Sequence, residues 1–212
     1  AKVRAVVRGA PTGPITDILI DWLPFSLSAA ITAGVAPLLF VQILYQEAFY
    51  TANLLAFHRW MAILPVLIVA FYLLYVLKAK AGAPRLSAAV AILIAAAVLF
   101  VGWSWVENHL LSLDRAAWPE QYASGAMAYR DPAVFARLGF WVLAAVPTFA
   151  HVVARQVRAG SQPASDVSRD VTLLARAAIV ALVGAALLAS PVLLGRWTLF
   201  RPATAEVSSA TQ

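Results

Sequence analysis

Hydrophobic positions along this 212-residue chain gather into five long blocks, with neither the alternation of a half-buried strand nor the single stripe of a soluble helix. The blocks span residues 22–45, 60–77, 86–106, 133–154 and 171–194. A helix needs about 20 mainly apolar residues to cross a bilayer, because every backbone N–H and C=O must find its partner within the segment once water is gone. The pattern therefore predicts an all-α integral membrane bundle of five transmembrane helices. Helix-start chemistry supports three of the blocks independently of hydropathy: Ser87 follows Pro84, Asp131 precedes Pro132, and Ser168 to Asp170 precede the fifth block. Residues 1–21 are then an N-terminal segment, 22–194 the membrane domain, 107–131 an interfacial segment, and 195–212 a tail expected to be flexible.

Composition agrees, since 62% of residues are hydrophobic and 12% charged, against about 25% charged in an ordinary soluble domain. There is no cysteine, which excludes a covalent c-type haem through CxxCH, an Fe–S cluster on the chain's own thiolates, and any disulfide. The net charge of +6 forms no basic stripe with interleaved aromatics, so no nucleic-acid partner is expected. The charge instead sorts by connection. Ten Lys and Arg fall on the side of the N-terminus and the second and fourth connections, and six on the other; the acidic residues divide four to six in the opposite sense. The positive-inside rule then places the N-terminus in the cytoplasm and the C-terminus outside. Lys2, Arg4 and Arg8 are followed by Gly9, Pro11, Gly13 and Pro14 and not by a short apolar run with a cleavage site, so the first span is expected to be an uncleaved anchor.

Two further patterns concern packing and depth. Ala177, Ala181, Ala185 and Ala189 recur every four residues, and Ala88, Ala95 and Gly102 every seven; small residues on one face let membrane helices approach closely. Pro37 and Pro147 lie inside spans and tend to bend them. Trp60, Trp103, Trp105, Trp118 and Trp197 fall near the predicted outer interface, Trp22 near the inner one, and Trp141 deeper. Such a distribution describes an ordinary aromatic belt or a docking face, and the sequence alone leaves both open.

Side chains capable of chemistry are few. Gln42, Glu47, Asn53, His58, Glu107, Asn108 and His109 all belong to the outer ends of the first three spans. If those ends converge, they form a polar cluster suited to proton exchange or to a quinol headgroup; if not, they simply meet water and lipid headgroups. His58 and His109 share a predicted depth and could ligate a b-type haem, whereas His151 lies near the inner end with no histidine opposite. No HxxxH, HxxE or ExxH spacing places metal ligands on one helical face.

The run Gly34-Val35-Ala36-Pro37-Leu38-Leu39-Phe40-Val41-Gln42-Ile43-Leu44-Tyr45, followed by Phe49-Tyr50-Thr51, resembles a poorly characterised group of bacterial multi-span membrane proteins associated with c-type cytochromes and respiratory electron-transfer complexes. The likeness covers the first two spans, with a looser echo at Trp118-Pro119-Glu120 and in the fourth span after Arg137. In that echo a histidine is expected soon after the arginine, and this chain has Leu138, Gly139 and Phe140. The resemblance implies a multi-pass protein of the bacterial inner (cytoplasmic) membrane. It implies a subunit of a multi-subunit oxidoreductase complex, structural or quinone-adjacent and not catalytic alone. Its partners would be other membrane subunits, lipid, and c-type cytochromes on the outer face. The alternative is a self-contained b-type haem or quinol-binding redox protein using His58, His109, Glu47, Glu107 and Gln42. A small transporter is a further alternative, against which stand the lack of an internal repeat and of paired broken helices.

Overall fold

Long apolar runs have one solution inside lipid, the helix, and the computed structural model takes it throughout. It describes residues 14–79, 83–129, 131–159 and 164–193. Among these are seven α-helices and no strand: α1 (Pro14–Leu44), α2 (Gln46–Leu55), α3 (Phe57–Ala79), α4 (Pro84–Leu113), α5 (Trp118–Ser124), α6 (Ala133–Ala159) and α7 (Ala164–Leu193), with a 3-10 turn at Arg115–Ala117. Five of them, α1, α3, α4, α6 and α7, are long and apolar enough to cross a membrane.

Each spanning helix outruns its apolar block at one end or both, because polar residues in a terminal turn can face water without breaking the backbone ladder. α1 begins at Pro14, eight residues before the expected start, and Asp21 in its early turns pairs with Lys78 at the end of α3, 2.9 Å away. α7 begins at Ala164, so Ser168 to Asp170 lie within the helix and do not cap it; the Thr172 hydroxyl donates to the Ser168 carbonyl at 2.8 Å. α4 is extended at its other end and runs to Leu113 and not to Val106. Thirty residues make a helix of about 45 Å, against about 30 Å of hydrocarbon. Its last two turns, carrying Glu107, Asn108 and His109, therefore stand at the membrane boundary as helix and not as connection. Residues 1–13 of the N-terminal segment, the tail from 194 onward with Trp197, and Lys80 and Arg130 lie outside the described residues.

Sharp local changes of dihedral angle fold α1, α2 and α3 back on one another without losing the helical ladder. Tyr45 (φ −121°, ψ 39°) separates α1 from α2 and Ala56 (φ −99°, ψ 25°) separates α2 from α3. Hydrogen bonds pass through both: Phe49 N–H to the Tyr45 carbonyl at 2.8 Å, and Trp60 N–H to the Ala56 carbonyl at 3.0 Å. Asp131 caps α6, its Oδ1 accepting from the Ala133 N–H at 2.7 Å, as expected for an acid before Pro132. α5 closes on Gly125 at φ +60°, a left-handed position that glycine takes at no steric cost.

Two helix pairs supply most of the packing, α3 with α4 and α6 with α7, with α1 laid across α3 and α6. Leu74, Leu77, Val90 and Ile94 form the core of the first pair, backed by Leu23 and Leu27 of α1. Ala150, Val153, Val157 and Leu174 form that of the second, backed by Ile18. The α6–α7 contact is set by reciprocal glycines: a Cβ at Gly139 would meet Leu188 Cδ1 at 2.9 Å, and one at Gly184 would meet Leu143 Cδ1 at 2.9 Å. Of the alanine stripe of α7, Ala181 and Ala185 are buried and Ala189 is half-buried, while Ala177 is exposed. On α4, Ala88 is buried and Gly102 lies against Leu138, but Ala95 is exposed; a seven-residue spacing drifts off one face of a 3.6-residue helix.

Candidate functional site

Glu107 is fully buried, and its carboxylate gathers three donors from three parts of the chain. Oε2 accepts from Arg59 Nη1 at the start of α3, in an ion pair, and from Trp103 Nε1 one turn earlier on α4 at 3.0 Å. Oε1 accepts from the Tyr129 backbone N–H in the connection that leads to α6. The Arg59 guanidinium lies 5.8 Å from the Phe100 ring centroid and 6.0 Å from that of Trp103, so the positive charge is held between a carboxylate and two aromatic faces. A buried charge is tolerated only when paired and hydrogen-bonded, and this one is both. The node ties α3, α4 and the 126–129 segment together where the helices leave the membrane.

A second layer of contacts extends the node outward. The Tyr129 hydroxyl donates to Asp114 Oδ2 at 2.8 Å, and burial, reinforced by the Asp114 and Asp131 carboxylates, pushes this phenol well above the usual tyrosine range. Trp118 Nε1 donates to the Leu111 carbonyl at 2.8 Å, and Ala52, Ala56 and Leu111 pack beneath Trp118 and Tyr129. Trp60 meets Trp105 edge to face at 5.2 Å, and Trp103 meets Phe135 at 4.5 Å. Trp60, Trp103, Trp105 and Trp118, placed by sequence at the outer interface, are thus half-buried and packed into the bundle, while Trp22 and Trp141 are exposed.

The expected outer cluster comes together only in part. Glu107 is at its centre. Glu47 is exposed and reaches Arg115 at 3.6 Å, and Gln42 is half-buried on α1. His58 is exposed, with its ring against the neighbouring Phe57. His109 is exposed too, and two residues after Glu107 it points about 200° around α4 from that carboxylate. Asn53 and Asn108 each bury a side-chain carbonyl oxygen with no hydrogen-bond partner. Among the described residues no group of three His, Cys, Asp or Glu is placed to hold a metal ion. The positions after Arg137 where a histidine is expected serve packing: Leu138 fills the space beside Gly102, and Gly139 admits Leu188.

Comparison with protein-family models, curated proteins and solved structures gave no match. The site therefore rests on its own geometry.

Arg59 and Trp103 were missed as site residues by sequence reasoning. Trp103 carried a usable signal, since it lies four residues before Glu107 and so shares its helix face. Arg59 did not, because its partner is 48 positions away.

On the exposed side of the 3-10 turn and α5, a groove of about 500 Å3 lies between α5 and the 126–129 segment, with Glu120, Gln121, Ser124, Met127 and Tyr129 in its walls. Gln121 Nε2 donates to the Ala126 carbonyl at 2.7 Å and fixes one wall to the other. Through Tyr129 the groove is anchored to Glu107.

Proposed function

We propose that the chain is an integral membrane subunit of a multi-subunit electron-transfer complex of the bacterial cytoplasmic membrane, with its N-terminus in the cytoplasm, and that it holds partners and does not catalyse alone. The observation that carries the subunit reading is how little of each span this chain covers for itself. None of the most apolar 18 residues of α1 is buried, and no other span buries more than 22% of its equivalent stretch. Such surface needs lipid or other subunits. The end built around Glu107 supports a scaffold role, since three of its acids are engaged with this chain's own donors: Glu107 with Arg59, Trp103 and Tyr129, Glu47 with Arg115, and Asp114 with Tyr129. The electron-transfer setting is supported by the resemblance of residues 34–45 and 49–51 to membrane proteins that accompany c-type cytochromes, and the orientation by the cation distribution.

The test is a dithionite-reduced minus oxidised spectrum of the complex from native membranes and of this chain isolated from it. Cytochrome bands confined to fractions that contain partner chains are expected. A b-type band in the isolated chain, lost in both His58→Ala and His109→Ala, would overturn the scaffold reading in favour of intrinsic haem.

A further inference from the structure

The described cations divide into two groups. Arg59, Lys78 and Arg115 each meet an acid, and Arg137 is engaged as well. Arg85, Arg155, Arg158, Arg169 and Arg176 have no ion-pair partner among the described residues, and all five are exposed. Two of them share one face of α7: Arg169 and Arg176 are seven residues apart, which separates them by about 20° around the helix and about 10 Å along it. That face turns away from α6, since the buried residues of α7, Leu174, Ala181 and Ala185, lie on the opposite side. Asp170, next to Arg169 in sequence, is half-buried one turn before Leu174 and on its side of the helix, so it neutralises neither arginine. Arg176 lies inside the apolar span Ser168–Ser190, eight residues or about 12 Å from its start. A guanidinium among acyl chains is costly unless it reaches a counter-charge. Long side chains on a helix lean toward its N-terminus, which for α7 is the near end of the span, so the Arg176 stem runs back along the helix and brings its charge toward the headgroups beside Arg169. Beyond Arg176 the same face consists of Ile179, Val180, Val183 and Leu187, all exposed.

We propose that this face of α7 seats an anionic phospholipid, with its phosphate held by Arg169 and Arg176 and an acyl chain lying along Ile179, Val180, Val183 and Leu187. Charge selects the occupant: two guanidiniums with no carboxylate on their face call for a partner of net negative charge, and phosphate matches their forked donors. Depth selects it too, since the cations sit toward one end of the span and only apolar surface follows, which is the order of groups along a phospholipid. A zwitterionic lipid brings its own cation and offsets the arginines less. An acid on another subunit's span is the competing occupant, and the chain alone in defined lipid distinguishes the two. The lipid site needs the membrane location alone and stands whether or not the protein serves electron transfer.

The experiment is native mass spectrometry of the full chain released from nanodiscs containing equal phosphatidylglycerol and phosphatidylcholine. Phosphatidylglycerol should be retained over phosphatidylcholine by about fivefold, the effect of one basic residue at an anionic surface. The preference should disappear in the double variant Arg169→Gln with Arg176→Gln. It should survive in Arg85→Gln, which removes an unpaired arginine from the start of α4. Excess inorganic phosphate should not displace the lipid, because it has no acyl chain to lay on α7. The three arginines are exposed, and an unchanged circular dichroism spectrum in both variants confirms that the fold is intact. An unchanged preference in the double variant, an equal loss in Arg85→Gln, or displacement by phosphate would each overturn the proposal. Equal retention of the two lipids by the unaltered protein would overturn it as well, and would leave an acid on another subunit's span as the counter-charge of Arg176.

Discussion

Glu107 is the residue on which its end of the bundle depends. Its removal leaves Arg59, the Trp103 indole N–H and the Tyr129 amide without their acceptor. Breaking a fully buried pair costs about 3–5 kcal/mol; because the Arg59 side chain keeps 28% of its exposure, Glu107→Ala is expected to cost about 2–4 kcal/mol in unfolding measured in mild detergent. The double variant Arg59→Met with Glu107→Leu should be less destabilised than either single variant, because no charge is then left stranded. Additive losses in that cycle would mean the two residues do not act as a pair. Tyr129 gives a pH signature. Its phenol titrates above the usual value when folded, so the neutral form is favoured by folding: the stabilisation is complete below the unfolded pKa of about 10 and is lost as pH rises from there toward the folded value. Unfolding followed from pH 9 upward should show this loss in the unaltered protein, and Tyr129→Phe should remove that component of the slope.

At the scale of elements, the α6–α7 pair is held by leucines seated on glycines, and the contrast with α1 is testable. Gly184→Val pushes a branched side chain into Leu143 and should cost about 1–3 kcal/mol. Gly34 has nothing within 4 Å of a Cβ position, so Gly34→Ala should be neutral or stabilising by up to about 1 kcal/mol through helix propensity. A loss at Gly34 in the isolated chain equal to that at Gly184 would contradict this description of the packing. The five spans were legible in the sequence because about 20 apolar residues in lipid leave no alternative to helix. Their ends were less so: Glu107 to Leu113 contain charge and polar groups that lower hydropathy, yet the helix continues because its ladder is completed outside the hydrocarbon. The short helices α2 and α5 also lack the length that makes an apolar run decisive. At the site, Glu107 was readable as a costly acid beside a span, but its partnership with Arg59 required the folding of α1, α2 and α3 against α4, and no local spacing encodes that.

At the scale of the whole molecule, the chain is a set of helix pairs with most of their apolar surface turned outward, closed at one end by a polar and aromatic node. A protein of this kind is expected to rely on its surroundings for rigidity, since membrane helices associate through close packing and polar contacts and not through a hydrophobic drive. The most direct test of the subunit reading is the mass and composition of the particle obtained when native membranes are solubilised in mild detergent. The account predicts that the 22.7 kDa chain migrates in a larger particle with other membrane chains and with cytochrome, and that all of them dissociate together when the detergent is made harsher. A monodisperse particle containing this chain alone, colourless and stable, would contradict it.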